Sequence, residues 1–182
     1  MEAFLNTYDG IVVTLVVIAQ VLIVLVTVLL VIRRRIPKKL DAFLARYSFP
    51  TAAVVSLLAM VGSLGYSDVF LFQPCRLCWY QRILMYPQVL LLGLGSIRKE
   101  FNIRVYGMIM SAVGALIALY HYLMQFSVVP EGACSTVGYS VSCANYFTAH
   151  LGYITIPMMA LTAFVFMFVL LAYSYVASHD TK

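Results

Sequence analysis

GIVVTLVVIAQVLIVLVTVLLVI, running from Gly10 to Ile32, is an almost unbroken series of Val, Leu and Ile that stops at Arg33, Arg34 and Arg35. About 20 predominantly apolar residues cross the hydrocarbon core of a bilayer, so this run spans a membrane without help. The rest of the chain has the same character. Of 182 residues, 63% are hydrophobic and 10% charged, and the mean hydropathy is +0.95. Such a composition leaves too little polar surface for a soluble globule, and it excludes disordered and collagen-like chains. Four cysteines are too few to staple a chain of this length as a disulfide scaffold.

Four further apolar segments follow, roughly Ser48 to Gly65, Leu77 to Ile97, Val105 to Ser127 and Gly152 to Ala177. The fold class expected is an all-α integral membrane protein, with a four-helix transmembrane bundle core and one extra N-terminal transmembrane helix. Residues 1–47 hold the extra helix and a basic loop; residues 48–182 hold the core. Glu2 and Asp9 precede the first run and three arginines follow it. A cleaved signal peptide shows the opposite arrangement, so the first helix is expected to remain as an anchor. Pro37 to Tyr47 fits either a short interfacial helix or a plain connecting loop.

Short cytoplasmic loops carry an excess of Lys and Arg. Arg33, Arg34, Arg35, Lys38, Lys39 and Arg46 lie between the first two spans, and Arg98, Lys99 and Arg104 between the third and fourth. With Lys182 these make ten of the twelve basic residues. The amino terminus, the Tyr66 to Pro74 loop and the Val128 to His150 loop are therefore expected outside, and the carboxyl terminus in the cytoplasm. Basic residues confined to span ends form no patch for nucleic acid.

All four cysteines then fall on the outer side, Cys75 and Cys78 in one loop and Cys134 and Cys143 in the other. The outside of a bacterial plasma membrane permits disulfides, so the pairs are either structural staples or reactive dithiols. Cys75-Arg76-Leu77-Cys78 has the spacing of a small-loop redox disulfide. Pro74 suits a helix start, which puts Cys78 near the positive end of a helix dipole, with Arg82 one turn deeper on the same face. Both influences favour a thiolate. Haem attachment requires a His after Cys78, where Trp79 stands, and the eight residues between Cys134 and Cys143 lack the knuckle spacing of structural zinc sites. No metal is expected.

Glu131 to Ser140 is small and polar, as in a mobile loop. Val128 and Cys134 are separated by a reach of roughly 20 Å at about 3.3 to 3.6 Å per residue, enough to bring Cys134 and Cys143 to the first pair. Two dithiols within reach of each other form an exchange relay, which needs an electron sink. No flavin fingerprint or cluster ligand set is visible, so a lipid quinone is the sink expected. Its candidate contacts are Arg82, Trp79 and Tyr80 on the third span and His121 on the fourth. Tyr139, Tyr146 and Tyr153 are expected in an interfacial belt.

Gln73-Pro74-Cys75-Arg76-Leu77-Cys78-Trp79-Tyr80-Gln81-Arg82, His121-Tyr122-Leu123-Met124-Gln125 and the later cysteine pair together resemble the DsbB/BdbC family of membrane disulfide-bond formation proteins, over about residues 48 to 177. The resemblance implies a quinone-dependent thiol oxidoreductase of the bacterial plasma membrane. In it Cys134 and Cys143 would reoxidise a DsbA-like thioredoxin-fold thiol oxidase, with Cys134 forming the mixed disulfide. Cys75 and Cys78 would pass the electrons to ubiquinone or menaquinone, with Cys78 facing the quinone as a thiolate, Arg82 polarising it and His121 near its ring. The family core has four spans, so the Gly10 to Ile32 helix is an addition, and the short Cys134 to Cys143 spacing leans toward the BdbC-like branch. Two alternatives stand beside this reading. One is a vitamin K epoxide reductase-like enzyme, in which the loop pair precedes the C-x-x-C. The other is a non-enzymatic membrane interaction protein with structural disulfides.

Overall fold

The computed structural model describes residues 2–130, 142–144 and 149–179. Cys134, Tyr139, Tyr146 and the rest of the Glu131 to Ser140 segment, like Lys182, lie outside the described residues. The described chain folds into five long helices, α1 (Glu2–Val31), α2 (Lys38–Leu64), α3 (Arg76–Arg98), α4 (Ile103–Gln125) and α5 (Ile156–His179), and among the described residues no strand forms. Helices are what a lipid environment dictates, because only there does a single segment satisfy its own backbone N–H and C=O groups.

Four of the helices are long and apolar enough to cross a membrane: α1, α2, α4 and α5. The fifth, α3, has the length, 23 residues or roughly 35 Å at 1.5 Å per residue, but carries Arg76, Gln81, Arg82, Gln88 and Arg98. Its polar groups turn inward: Gln81 and Gln88 are buried, and Ser111 on α4 donates to Gln88 Oε1 at 3.0 Å. Side-chain hydrogen bonds between helices serve as glue where water is absent.

Helices α2 to α5 close a ring in which α2 packs on α3 and α5, and α4 on α3 and α5, while α1 lies outside the ring against α5. The sequence supplies the close contact of α4. Gly107, Ser111, Gly114, Ala118 and His121 recur every three or four residues and are all buried. A Cβ added at Gly114 would sit 2.3 Å from the Phe164 ring, and Phe164 is fully buried. Small residues of this kind let two helix backbones approach. Toward one end Phe49, Ala52, Leu92, Phe166, Leu170 and Leu171 form a core. The other end holds Cys75, Leu77, Met124 and Cys143.

Several boundaries differ from the sequence reading. Lys38 to Tyr47 is neither a loop nor a separate interfacial helix: α2 runs through it unbroken. The segment contains Leu, Ala, Arg and Lys, good helix formers with no glycine, and Pro37 precedes the first helical residue. What remains of the basic loop is pinned. Arg33 donates from Nε and Nη2 to Asp41 at 2.6 and 3.0 Å, and Tyr173 donates to the same carboxylate at 2.8 Å. Helix α1 starts eight residues earlier than the apolar run, at Glu2. Helix α5 starts later than Gly152, because Gly152 holds φ +76° in a tight turn closed by a bridge between His150 and Ile154. Left-handed backbone of this kind suits glycine.

Candidate redox site and apolar cavity

The site begins with the start of α3. Cys75 is the N-cap, with extended backbone, and its Sγ accepts the Cys78 N–H at 3.4 Å. An N-cap side chain takes up one of the four amides that a helix leaves unpaired. Here a sulfur does so, and the helix terminus serves Cys75 more directly than Cys78. The two Sγ atoms are 3.0 Å apart and both cysteines are free thiols. Cys75 lies just ahead of the helix, and its thiol is held well below the ordinary thiol range. The hydrogen bond with the Cys78 thiol is the main cause, and His121 adds to it.

Helix α4 brings His121 to the same place. Its Nε2 lies 3.7 Å from Cys75 Sγ and 3.1 Å from the Cys143 carbonyl oxygen; Gln81 Nε2 lies 3.2 Å from its Nδ1. A carbonyl only accepts and an amide nitrogen only donates, so the consistent tautomer carries its proton on Nε2. Cys143, buried and disulfide-bonded, completes the group. The Cys75 sulfur, a His121 ring nitrogen and the Cys143 sulfur all lie within 4.8 Å of one another. Soft ligands at such distances resemble a metal set, but a disulfide sulfur is not a thiolate donor.

On its other side Cys78 lines a cavity of about 340 Å³ bounded by α1, α2, α3 and α5. The wall is mostly apolar, with Leu15, Ala19, Leu58, Met159 and Phe166 among its residues, and a few polar groups converge on it: Ser63, Tyr66, Gln81 and Arg82. Arg82, one turn below Cys78, is fixed from α2. Its Nε donates to Ser63 Oγ at 3.0 Å and its Nη2 to the Ser63 carbonyl at 3.1 Å. No hydrogen bond from Nη1 forms among the described residues. A largely apolar pocket with a few placed donors suits a small organic ligand.

The structure thus brings Cys75, His121 and Cys143 into one buried group, and places Cys78 and Arg82 on the cavity. His121 does not line the cavity. Trp79 and Tyr80 are 54% and 52% exposed on the outer side of α3; the Arg82 guanidinium lies over the Trp79 ring at 5.4 Å. Tyr153 is partly exposed and donates to Gln20 of α1 at 3.0 Å. Three residues that the sequence reading did not place in the site belong here. Ser63 holds Arg82, Tyr66 forms cavity wall, and Gln81 faces the cavity while contacting His121. Gln81 alone had a visible signal, an amide within an apolar segment.

The sequence model of the family described as "Disulfide bond formation protein DsbB" matches residues 45–174. The chain belongs to the DsbB family. It is 48% identical over 120 residues, 64% of this chain and 81% of the relative, to a "Probable disulfide formation protein" of Oceanobacillus iheyensis. It is 42% identical over 116 residues, 64% of this chain and 83% of the relative, to "Disulfide bond formation protein C" of Bacillus subtilis. A "Probable disulfide formation protein C 2" of Bacillus anthracis is 34% identical over 137 residues, 75% of this chain and 96% of that protein. No solved structure matches the chain. DsbB-family membership gives the chain a membrane disulfide oxidoreductase chemistry. The match begins inside α2, so α1 lies outside it.

Proposed function

We propose that this protein reoxidises a DsbA-like, thioredoxin-fold thiol oxidase and passes the electrons through its two cysteine pairs to a membrane quinone. The observation that carries the reading is the two-sided placement of the C-x-x-C pair. Cys75 touches the group containing Cys143, and Cys78 faces the apolar cavity.

In the first exchange the partner's dithiol reduces the disulfide of the loop pair Cys134 and Cys143, and the partner becomes a disulfide. With Cys75 and Cys78 joined as a disulfide, the Cys143 thiolate attacks Cys75. A Cys75–Cys143 bond forms, the Cys75–Cys78 bond breaks, and Cys78 leaves as a thiolate on the cavity wall. Attack of the Cys134 thiolate on Cys143 then closes the loop pair again and releases Cys75 as a thiolate, so both electrons sit on the C-x-x-C pair. Both cysteines are free thiols and Cys143 is disulfide-bonded, which corresponds to the state after this transfer. His121, with its proton on Nε2, stabilises the thiolate at Cys75.

The cavity residues fit a quinone: an apolar slot for the ring and prenyl tail, and a guanidinium whose Nη1 makes no hydrogen bond among the described residues, for a carbonyl oxygen. When bound, a quinone supplies the sink, taking up two electrons and two protons. Arg82 stabilises both the Cys78 thiolate and negative charge developing beside it, in a largely apolar site. The excess of basic residues at the opposite span ends supports an extracytoplasmic position for the cysteine groups at the bacterial plasma membrane. The test is quinone reduction in detergent with a reduced thioredoxin-fold oxidase as donor. Cys78→Ser and Arg82→Ala should each abolish or strongly slow it. Cys134→Ser should block reduction by the protein dithiol while quinone binding persists; normal turnover in that variant would overturn the division of labour.

A further inference from the structure

Asp9, on the helix that the family match leaves out, is a buried carboxylate for which the exchange chemistry has no use. It is 4% exposed. Its Oδ2 lies 3.2 Å from His150 Nε2, and the His150 side chain is 36% exposed at the protein surface. Its Oδ1 has no hydrogen-bond partner among the described residues. The Tyr66 hydroxyl lies close enough to this carboxylate to interact with it, and is buried with no hydrogen bond of good geometry among the described residues. Tyr66 lines the cavity that Cys78 and Arg82 share. The other titratable group facing Asp9 is Tyr8, whose hydroxyl is already committed to the Gly62 carbonyl at 3.0 Å.

We propose that His150, Asp9 and Tyr66 form a proton path from the outer aqueous face into the cavity, supplying protons to the acceptor reduced there. The proposal rests on the quinone-linked reading above. Closing the Cys75–Cys78 disulfide releases two electrons and two thiol protons, and reducing a quinone to a quinol consumes two electrons and two protons. Cys78 on the cavity wall can hand over at most one proton, and Cys75, which faces His121 and the loop pair, does not line the cavity, so the second proton needs its own route to the acceptor. A carboxylate suits the middle of such a route, because one oxygen accepts while the other donates. A proton on His150 Nε2 passes to Asp9 Oδ2. A proton on Oδ1 passes to the Tyr66 oxygen as the Tyr66 O–H proton goes to the acceptor oxygen. His150 is reprotonated from water, so each transfer breaks one N–H or O–H bond and makes another. A carboxylate that merely anchored α1 would explain the His150 contact alone. It would not explain a second buried oxygen and a nearby buried hydroxyl on the cavity wall that both lack a hydrogen bond among the described residues.

The test uses the full-length protein. Asp9→Asn should slow quinol formation by about tenfold or more with the equilibrium affinity for quinone unchanged, and Tyr66→Phe should slow it likewise. A small permeant weak acid such as hydrazoic acid should restore the rate of Asp9→Asn and not that of Cys78→Ser. Tyr66→Phe keeps the ring and its 6.0 Å stack on Phe72, which covers the case in which Asp9→Asn fails to fold. Independently of turnover, infrared difference spectra of quinone-free protein across a pH step should show a carboxyl band that vanishes in Asp9→Asn and shifts in His150→Gln. Wild-type rates in both Asp9→Asn and Tyr66→Phe, or a loss that weak acid does not restore, would overturn the path. A wild-type protein that reduces no quinone while exchanging disulfides normally would overturn the quinone reading, and the path with it.

Discussion

Replacing Ser63 by Ala removes one oxygen and asks whether Arg82 works because it is held. Ser63 Oγ accepts from Arg82 Nε at 3.0 Å and from the Tyr86 hydroxyl at 3.3 Å, while the Ser63 carbonyl accepts from Arg82 Nη2 at 3.1 Å. The substitution deletes the first two bonds and leaves the third. A hydrogen bond to a charged group contributes about 1.5–3 kcal/mol, and the surviving carbonyl bond preserves part of the orientation. The expected loss is therefore at the bottom of that range, about 1.5 kcal/mol or a little more than tenfold in quinone affinity or reduction rate. Arg82→Ala removes the donor itself and should cost about 10²–10³-fold, the effect of deleting one preorganised donor. Alanine is a better helix former than serine, so α2 should not be weakened. The assay is a quinone titration and a reduction time course in detergent, with thermal unfolding as the control for folding. Wild-type affinity and rate in a folded Ser63→Ala protein would refute the positioning role.

Gly114→Ala should destabilise the bundle by about 1–3 kcal/mol, the cost of overpacking, because the new Cβ would meet three Phe164 ring atoms at 2.3 to 2.6 Å. Gly93→Ala, with nothing within 4 Å, should be neutral or slightly stabilising; equal unfolding temperatures for the two variants would contradict the packing described. The lowered Cys75 thiol should keep the thiolate absorbance of protein reduced only at the C-x-x-C pair as pH falls well below the usual thiol value of about 8.5. His121→Ala removes a stabilising partner and should move that midpoint upward. A wild-type midpoint at the usual value would contradict the geometry around Cys75.

The fold was legible where physics is local. Runs of Val, Leu and Ile mark helices because a bilayer accepts little else, and charges mark their ends. What local reading missed were features that depend on neighbours. Lys38 to Tyr47 reads as loop or interfacial helix by its charges, yet it continues α2 because Arg33, Asp41 and Tyr173 tie it to α5. The start of α5 was misplaced because an apolar Leu151-Gly152-Tyr153-Ile154 reads as membrane span, while Gly152 turns the chain. The cysteine pair and Arg82 stood out as reactive and charged groups in an apolar chain. Ser63 and Tyr66 did not, since a serine near the end of an apolar span or a tyrosine at its edge has no sign of function until another helix places Arg82 or Asp9 against it. The small-residue spacing of α4 does place His121 on a buried face, but which cysteine it meets is fixed only by how α3 and α4 cross.

The crossing of electrons between the two pairs is tested most directly by leaving one cysteine from each, Cys75 and Cys143, in a protein carrying Cys78→Ser and Cys134→Ser. Their sulfurs lie within 4.8 Å, so a small side-chain movement brings them to the roughly 2.05 Å of a disulfide. The account predicts that mild oxidation joins Cys75 to Cys143, seen as one cross-linked peptide pair by mass spectrometry. Both thiols remaining free, under conditions that oxidise the Cys75–Cys78 pair of the unmodified protein, would contradict it.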